Sequence, residues 1–156
     1  MKGSMLDLPV IISLLLGGAM TILLVFFVVS EITNNFPATE TDALYVLQKG
    51  VSAVNVFDYM FVFFAVGLGM FSVISAFFID SHPIFFILSV IILIPIVILT
   101  SAQMTNAFDA FISTSVFSSV ANSFPYTVLL MRNLPLFCLI LGILVAIVMH
   151  GKSGGI

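Results

Sequence analysis

Charge is the scarcest thing in this sequence. Four Lys or Arg and seven Asp or Glu are spread over 156 residues, so 7% of the chain is charged, where a soluble domain carries roughly a quarter. So few charges cannot cover the exterior of a water-soluble fold of this length, and lipid must be the solvent for much of it. Tryptophan, a common marker of the membrane–water interface, is absent, which leaves Tyr45, Tyr59 and Tyr126 as the conventional interfacial aromatics. The single cysteine, Cys138, excludes a disulfide framework within the chain. Lying in an apolar run, it reads as a small packing residue, since a reactive thiol needs an electropositive, accessible site. The net charge is -3, with no basic run of the kind that binds nucleic acid or anionic lipid, so no specific nucleic-acid binding is expected. Phosphate-binding glycine loops, HExxH, CxxC and the nucleophile elbow are missing too. No catalytic residue, metal site or cofactor is therefore expected, and the chain does not read as an enzyme.

What is present is apolar, with 62% hydrophobic residues and 17 Phe. A helix that crosses the hydrocarbon needs about 20 predominantly apolar residues, and four runs qualify, at 8–30, 56–79, 84–102 and 125–149. The first is too long for a signal-peptide core and no small-x-small site follows Ser30, so it reads as a retained span. Asp80-Ser81-His82-Pro83 separates the second run from the third and reads as a tight hairpin turn in which Asp80 caps the junction and Pro83 begins the next helix. Asp80 with His82 also suggests a proton relay or half a metal site, but two residues make a poor ligand set where catalytic zinc takes three. Pro95 lies inside the third run and Pro135 inside the fourth, and each should kink its helix. Asn122 or Ser123 is placed to cap the fourth helix, with Pro125 in its first turn and Gly151 as its stop.

The connectors carry helical patterning of their own. Thr39-Glu40-Thr41-Asp42 resembles a capping box, and after it Leu44, Leu47, Val51 and Val54 recur at helical spacing. In the second connector Phe108, Phe111, Ile112, Val116, Val120 and Phe124 form one stripe, opposite Ser113, Ser118, Ser119 and Asn122. Both read as amphipathic helices lying on the membrane surface, over 39–54 and 104–124. The expected fold is thus an all-α membrane protein, a single domain over 1–156 with four transmembrane helices and two interfacial connectors, in a rough repeat of span, connector, span. Both termini and the hairpin then share one side. Lys and Arg count two against two across the membrane, so the positive-inside rule assigns no orientation.

Asp58 and Arg132 stand out, because each lies just inside an apolar run near the same membrane face. A charge there is costly unless it is paired or snorkels to the interface. The pair reads as a candidate intramembrane ion pair that fixes the second span against the fourth, or as two snorkelling groups, with a gating role as the sharper alternative. Gly17-Gly18, Gly67-x-Gly69 and Ser72-x-x-Ser75-Ala76 offer small faces for close helix approach. His150 reads as a helix-end residue at the interface.

The segment from Ile74 to Phe86, ISAFFIDSHPIFF, resembles small integral membrane proteins of tailless icosahedral viruses and phages that carry an internal lipid membrane. Asn133-Leu134-Pro135-Leu136, with the apolar run and Met149-His150-Gly151-Lys152 after it, is similar too. The likeness covers the last half of the chain and brings no catalytic residues with it. It implies a structural protein present in many copies, organising bilayer curvature and contacting capsid proteins, with the bilayer, itself and other membrane or capsid proteins as partners. Two other functions fit the size and hydrophobicity. One is a holin-like or small channel pore, lined between subunits by Ser13, Thr21, Ser72 and Ser75. The other is an accessory subunit of a larger membrane complex.

Overall fold

In lipid every backbone N–H and C=O must be satisfied within the protein, which leaves long apolar segments as helices. The computed structural model describes residues 7–37, 41–78 and 83–153. Over these the chain is an all-α membrane protein with α1 (Asp7–Asn35), α2 (Thr41–Phe77), α3 (Pro83–Ile112), α4 (Ser118–Asn122), α5 (Pro125–Arg132) and α6 (Leu134–Ser153), and no strand. Helices α1, α2, α3 and α6 are long and apolar enough to cross a membrane. They form a ring in which α1 packs on α2 and α3, and α6 packs on the same two from the other side. The short segments α4 and α5 sit against one end, called here the capped end.

The predicted connectors fold differently from one another. Residues 41–54 form no separate interfacial helix, because α2 runs unbroken for 37 residues, about 55 Å. The predicted stripe Leu44, Leu47, Val51, Val54 continues at the same three- and four-residue spacing through Asp58, Phe61 and Ala65, so it is the inward seam of one long helix. Val51 and Val54 pack against the main core, and Asp58, Phe61 and Ala65 are buried. In the second connector Phe108, Ile112, Val120 and Phe124 are buried as well, while Ser113, Ser118, Ser119 and Asn122 are exposed; Val116 of the predicted stripe is exposed too, at 46%. Apart from Val116 the stripe has the predicted polar and apolar sides, but it is divided between the end of α3, the short α4 and Phe124, and it faces the bundle's own core. The two halves of the chain therefore do not repeat one connector fold.

Three helix ends also differ from expectation. Helix α3 extends past Ala102 to Ile112 and contains Pro95. The fourth run is two helices, broken at Asn133 just before Pro135. Gly151 does not stop α6, which continues to Ser153.

Aromatic rings close the capped end. Phe26 meets Phe124 edge-on at 5.0 Å, Phe27 lies 5.4 Å from Phe117, and Phe117 stacks on Phe111 at 4.2 Å. At the opposite, open end a separate small core of Ala76, Val145 and Met149 joins α2 to α6, with Val90 and Leu93 of α3 packed on it. Among the described residues, none of that cluster comes from α1. Leu8 of α1 shares a small cavity with Leu93, Ile94, Val97, Cys138 and Gly142, which sets it level with the middle of α3.

Candidate functional site

The first turn of a helix leaves backbone N–H groups without intrahelical acceptors. Helix α5 begins with Pro125, which has no N–H to place, and its N-cap residue is Phe124, whose side chain cannot accept. Neither Asn122 nor Ser123 caps it, contrary to expectation. The N–H of Val128 closes onto the Phe124 carbonyl at 3.0 Å, which leaves the N–H groups of Tyr126 and Thr127 to find partners elsewhere. Both partners come from one side chain of another helix. Asp58 Oδ2 accepts from Tyr126 N–H at 3.1 Å, and Oδ1 accepts from Thr127 N–H at 2.7 Å. Asp58 is 3% exposed, on the inward seam of α2. It is thus a cap supplied in trans, with a carboxyl group at the positive end of a helix dipole. The Tyr59 and Tyr126 rings meet beside it at 5.0 Å.

The other end of α5 is held by α3. In a continuous helix the N–H of residue 135 would bond the Met131 carbonyl, and Pro135 cannot supply it. Thr105 Oγ1 donates to that carbonyl instead, at 2.9 Å. One turn further along α3, Asp109 Oδ1 accepts from Arg132 Nε at 2.9 Å, in an exposed pair. One turn back, Ser101 is buried beside the Cys138 thiol and donates to its own Ile98 carbonyl at 2.9 Å. Ser101, Thr105 and Asp109 thus form an i, i+4, i+8 polar row on α3 facing α5 and α6. Asn133 completes the joint: its side-chain Nδ2 donates to the Leu129 carbonyl at 2.8 Å, and its own carbonyl accepts from Phe137 N–H at 2.9 Å.

The candidate ion pair is therefore not made. Asp58 and Arg132 both bind around α5, but at opposite ends of it, and each has another partner. Of the hairpin residues, Asp80 and His82 lie outside the described residues, while Pro83 is the first residue of α3. Among the candidate pore-lining hydroxyls, Ser13 donates to the Pro9 carbonyl and Thr21 to the Gly17 carbonyl, each within its own helix. The glycine pairs split. A Cβ on Gly18 would meet the Phe61 ring at 3.3 Å and one on Gly69 would meet Leu141 at 2.9 Å, whereas Gly17 and Gly67 face open space.

Chemically, the joint is a set of hydrogen bonds that hold a broken helix in place. Among the described residues, no three His, Cys, Asp or Glu side chains converge in a way that could hold a metal ion. One buried polar atom, Thr127 Oγ1, has no hydrogen-bond partner among the described residues. Compared with known proteins, the chain matches no family profile, no curated protein and no solved structure.

Proposed function

We propose that this chain is a structural, bilayer-organising integral membrane protein that works in many copies, as a component of the internal membrane of a virus or phage, where it contacts capsid proteins. The observation that carries the structural role is the joint at α5, where Asp58 and Thr105 are spent on the first N–H groups of that helix and on the Met131 carbonyl, which supports a static role in preference to a solute path. The virion setting rests on the resemblance of residues 74–86, 133–136 and 149–152.

Reconstitution into phosphatidylcholine vesicles at rising protein density tests the proposal, with cryo-imaging of vesicle shape and potassium and proton flux as readouts. The expected result is density-dependent curvature with flux no faster than in protein-free vesicles. Selective ion flux would replace this reading with the pore former. Purification with one stoichiometric larger partner would replace it with the accessory subunit.

A further inference from the structure

Helix α2 is tied to the α5–α6 arm at two levels. In mid-span Gly69 lets the helices come close, with Leu141 2.9 Å and Phe137 3.4 Å from where a Cβ would stand. Towards the capped end, Asp58 holds the N–H groups of Tyr126 and Thr127. Between the two ties the helices part, and Val62 borders an open apolar trough with Leu129, Leu136 and Ile140. On its other side this stretch of α2 rests on α1 through apolar contacts such as the Phe61 ring against Gly18. In lipid such contacts gain little over contact with acyl chains, so the polar clasp at Asp58 is what positions the stretch.

The helix has a weak point at the lower tie. No proline interrupts α2, which leaves glycine as the place where it can bend. Gly69 is accounted for by the approach of Leu141. Gly67 is not: a Cβ there would meet nothing within 4 Å. No neighbour requires glycine at this position, and its effect is to loosen the backbone of the helix in mid-span. Gly50, the remaining glycine of α2, lies beyond the clasp and cannot bend the stretch between the ties.

We propose that α2 is a latched, hinged helix: Gly67 and Gly69 form the hinge, and the Asp58 clasp on the start of α5 is the latch that holds the part of α2 towards the capped end against the bundle. From Gly67 to Val56 the rise is about 16 Å, so a bend of about 20° at the hinge carries Val56 about 6 Å. The device does not rest on the scaffold role, which stands or falls on vesicle shape and flux. The test is double electron–electron resonance on the full chain in phosphatidylcholine bilayers, with Cys138→Ala removing the native thiol. Spin labels go on Val56→Cys with Leu99→Cys, or on Ile74→Cys with Ile91→Cys, four exposed positions that pair α2 with α3 on either side of the hinge. Asp58→Ala should shift or broaden the first distance by several ångströms and leave the second as in wild type. Adding Gly67→Ala, which stiffens the helix in open space, should remove at least half of that shift. Asp58→Asn keeps one acceptor, should give a smaller shift of the same kind, and carries the test if the alanine variant fails to fold. An unchanged Val56–Leu99 distance on loss of the clasp would overturn the latch. Equal shifts at both pairs would mean that α2 moves as a rigid rod, and that result, or a shift that Gly67→Ala leaves intact, would overturn the hinge.

Discussion

The capped and open ends of the bundle are held by different forces. At the capped end, named polar atoms fix positions: Asp58 on two N–H groups, Thr105 on one carbonyl, Asp109 on Arg132. At the open end, the small core of Ala76, Val145 and Met149 is apolar and packs by shape. Lipid tails are as apolar as leucine, so burying Val145 against Ala76 gains little over leaving it in the bilayer, and close fit must supply the attraction. Polar contacts act differently, because a backbone group left unpaired in lipid has no water to turn to. The capped end should therefore set the register of the helices and resist single substitutions least.

The largest effect is expected at Asp58. Asp58→Ala strands the N–H groups of Tyr126 and Thr127, and each buried group left unsatisfied costs roughly 1–3 kcal/mol. A loss of about 3 kcal/mol is expected in unfolding titrations with sodium dodecyl sulfate in mixed micelles, followed by circular dichroism. Asp58→Asn keeps one acceptor and should lose about half as much. Equal stability for Asp58→Ala and wild type would mean that water, not Asp58, caps α5.

Next comes the close approach of α2 and α6. Gly69→Val places new methyl groups where Leu141 already lies 2.9 Å from the Cβ position, and overpacking of this kind costs typically 1–3 kcal/mol. Gly67→Val, two residues away with open space around it, should change stability by less than about 0.5 kcal/mol. If the two variants behave alike in the same titration, the cost belongs to helix propensity and not to the contact.

Thr105 offers a sharper test, because its role depends on a second residue. Thr105→Val leaves the Met131 carbonyl without its donor, worth about 1 kcal/mol inside a membrane bundle. Pro135→Ala restores an N–H at the position that would bond the same carbonyl. In that background Thr105→Val should be close to neutral, and the double-mutant cycle should show a coupling near the full single-site effect. Zero coupling would separate the two residues and leave the break at Asn133 without this explanation. Arg132→Gln removes a pair that is 57% and 40% exposed, and screening should hold its effect under about 1 kcal/mol.

The same contrast explains how much the sequence revealed. The four spans were legible because uninterrupted apolar runs such as Leu8–Val29 leave lipid no other structure to accept. The α2 seam was legible as far as Val54. It continues to Asp58 at unchanged spacing, but a carboxylate in an apolar stripe looks like an interruption until its acceptor role is known. The pairing of Asp58 with Arg132 failed because ending the third span at Ala102 left Asp109 in a separate surface-lying connector helix, and on the longer α3 it is Asp109 that reaches Arg132. The true partners of Asp58 are backbone groups, which no side-chain pattern displays. One signal did point to them: Pro125 follows Phe124, so a helix begins there without an adjacent side chain able to cap it. The i, i+4, i+8 spacing of Ser101, Thr105 and Asp109 was equally available, but only to a reading that let α3 run on.

The smallest expected effect is at Thr127, and it separates the two halves of that residue's role. Its N–H is held by Asp58 at 2.7 Å, while its hydroxyl, in a fully buried side chain, has no partner among the described residues. Valine has nearly the same shape, keeps the N–H and removes the hydroxyl. If the hydroxyl is unpaired, Thr127→Val relieves the cost of burying it and should leave stability unchanged or raise it by up to about 1 kcal/mol. The α5 cap should be untouched, so Asp58→Ala should cost as much in the Thr127→Val background as in wild type. A loss above about 1 kcal/mol would mean that the hydroxyl has a partner, such as a bound water bridging it to a neighbouring carbonyl. The capped end would then be fixed by one more polar contact than those of Asp58, Thr105 and Asp109.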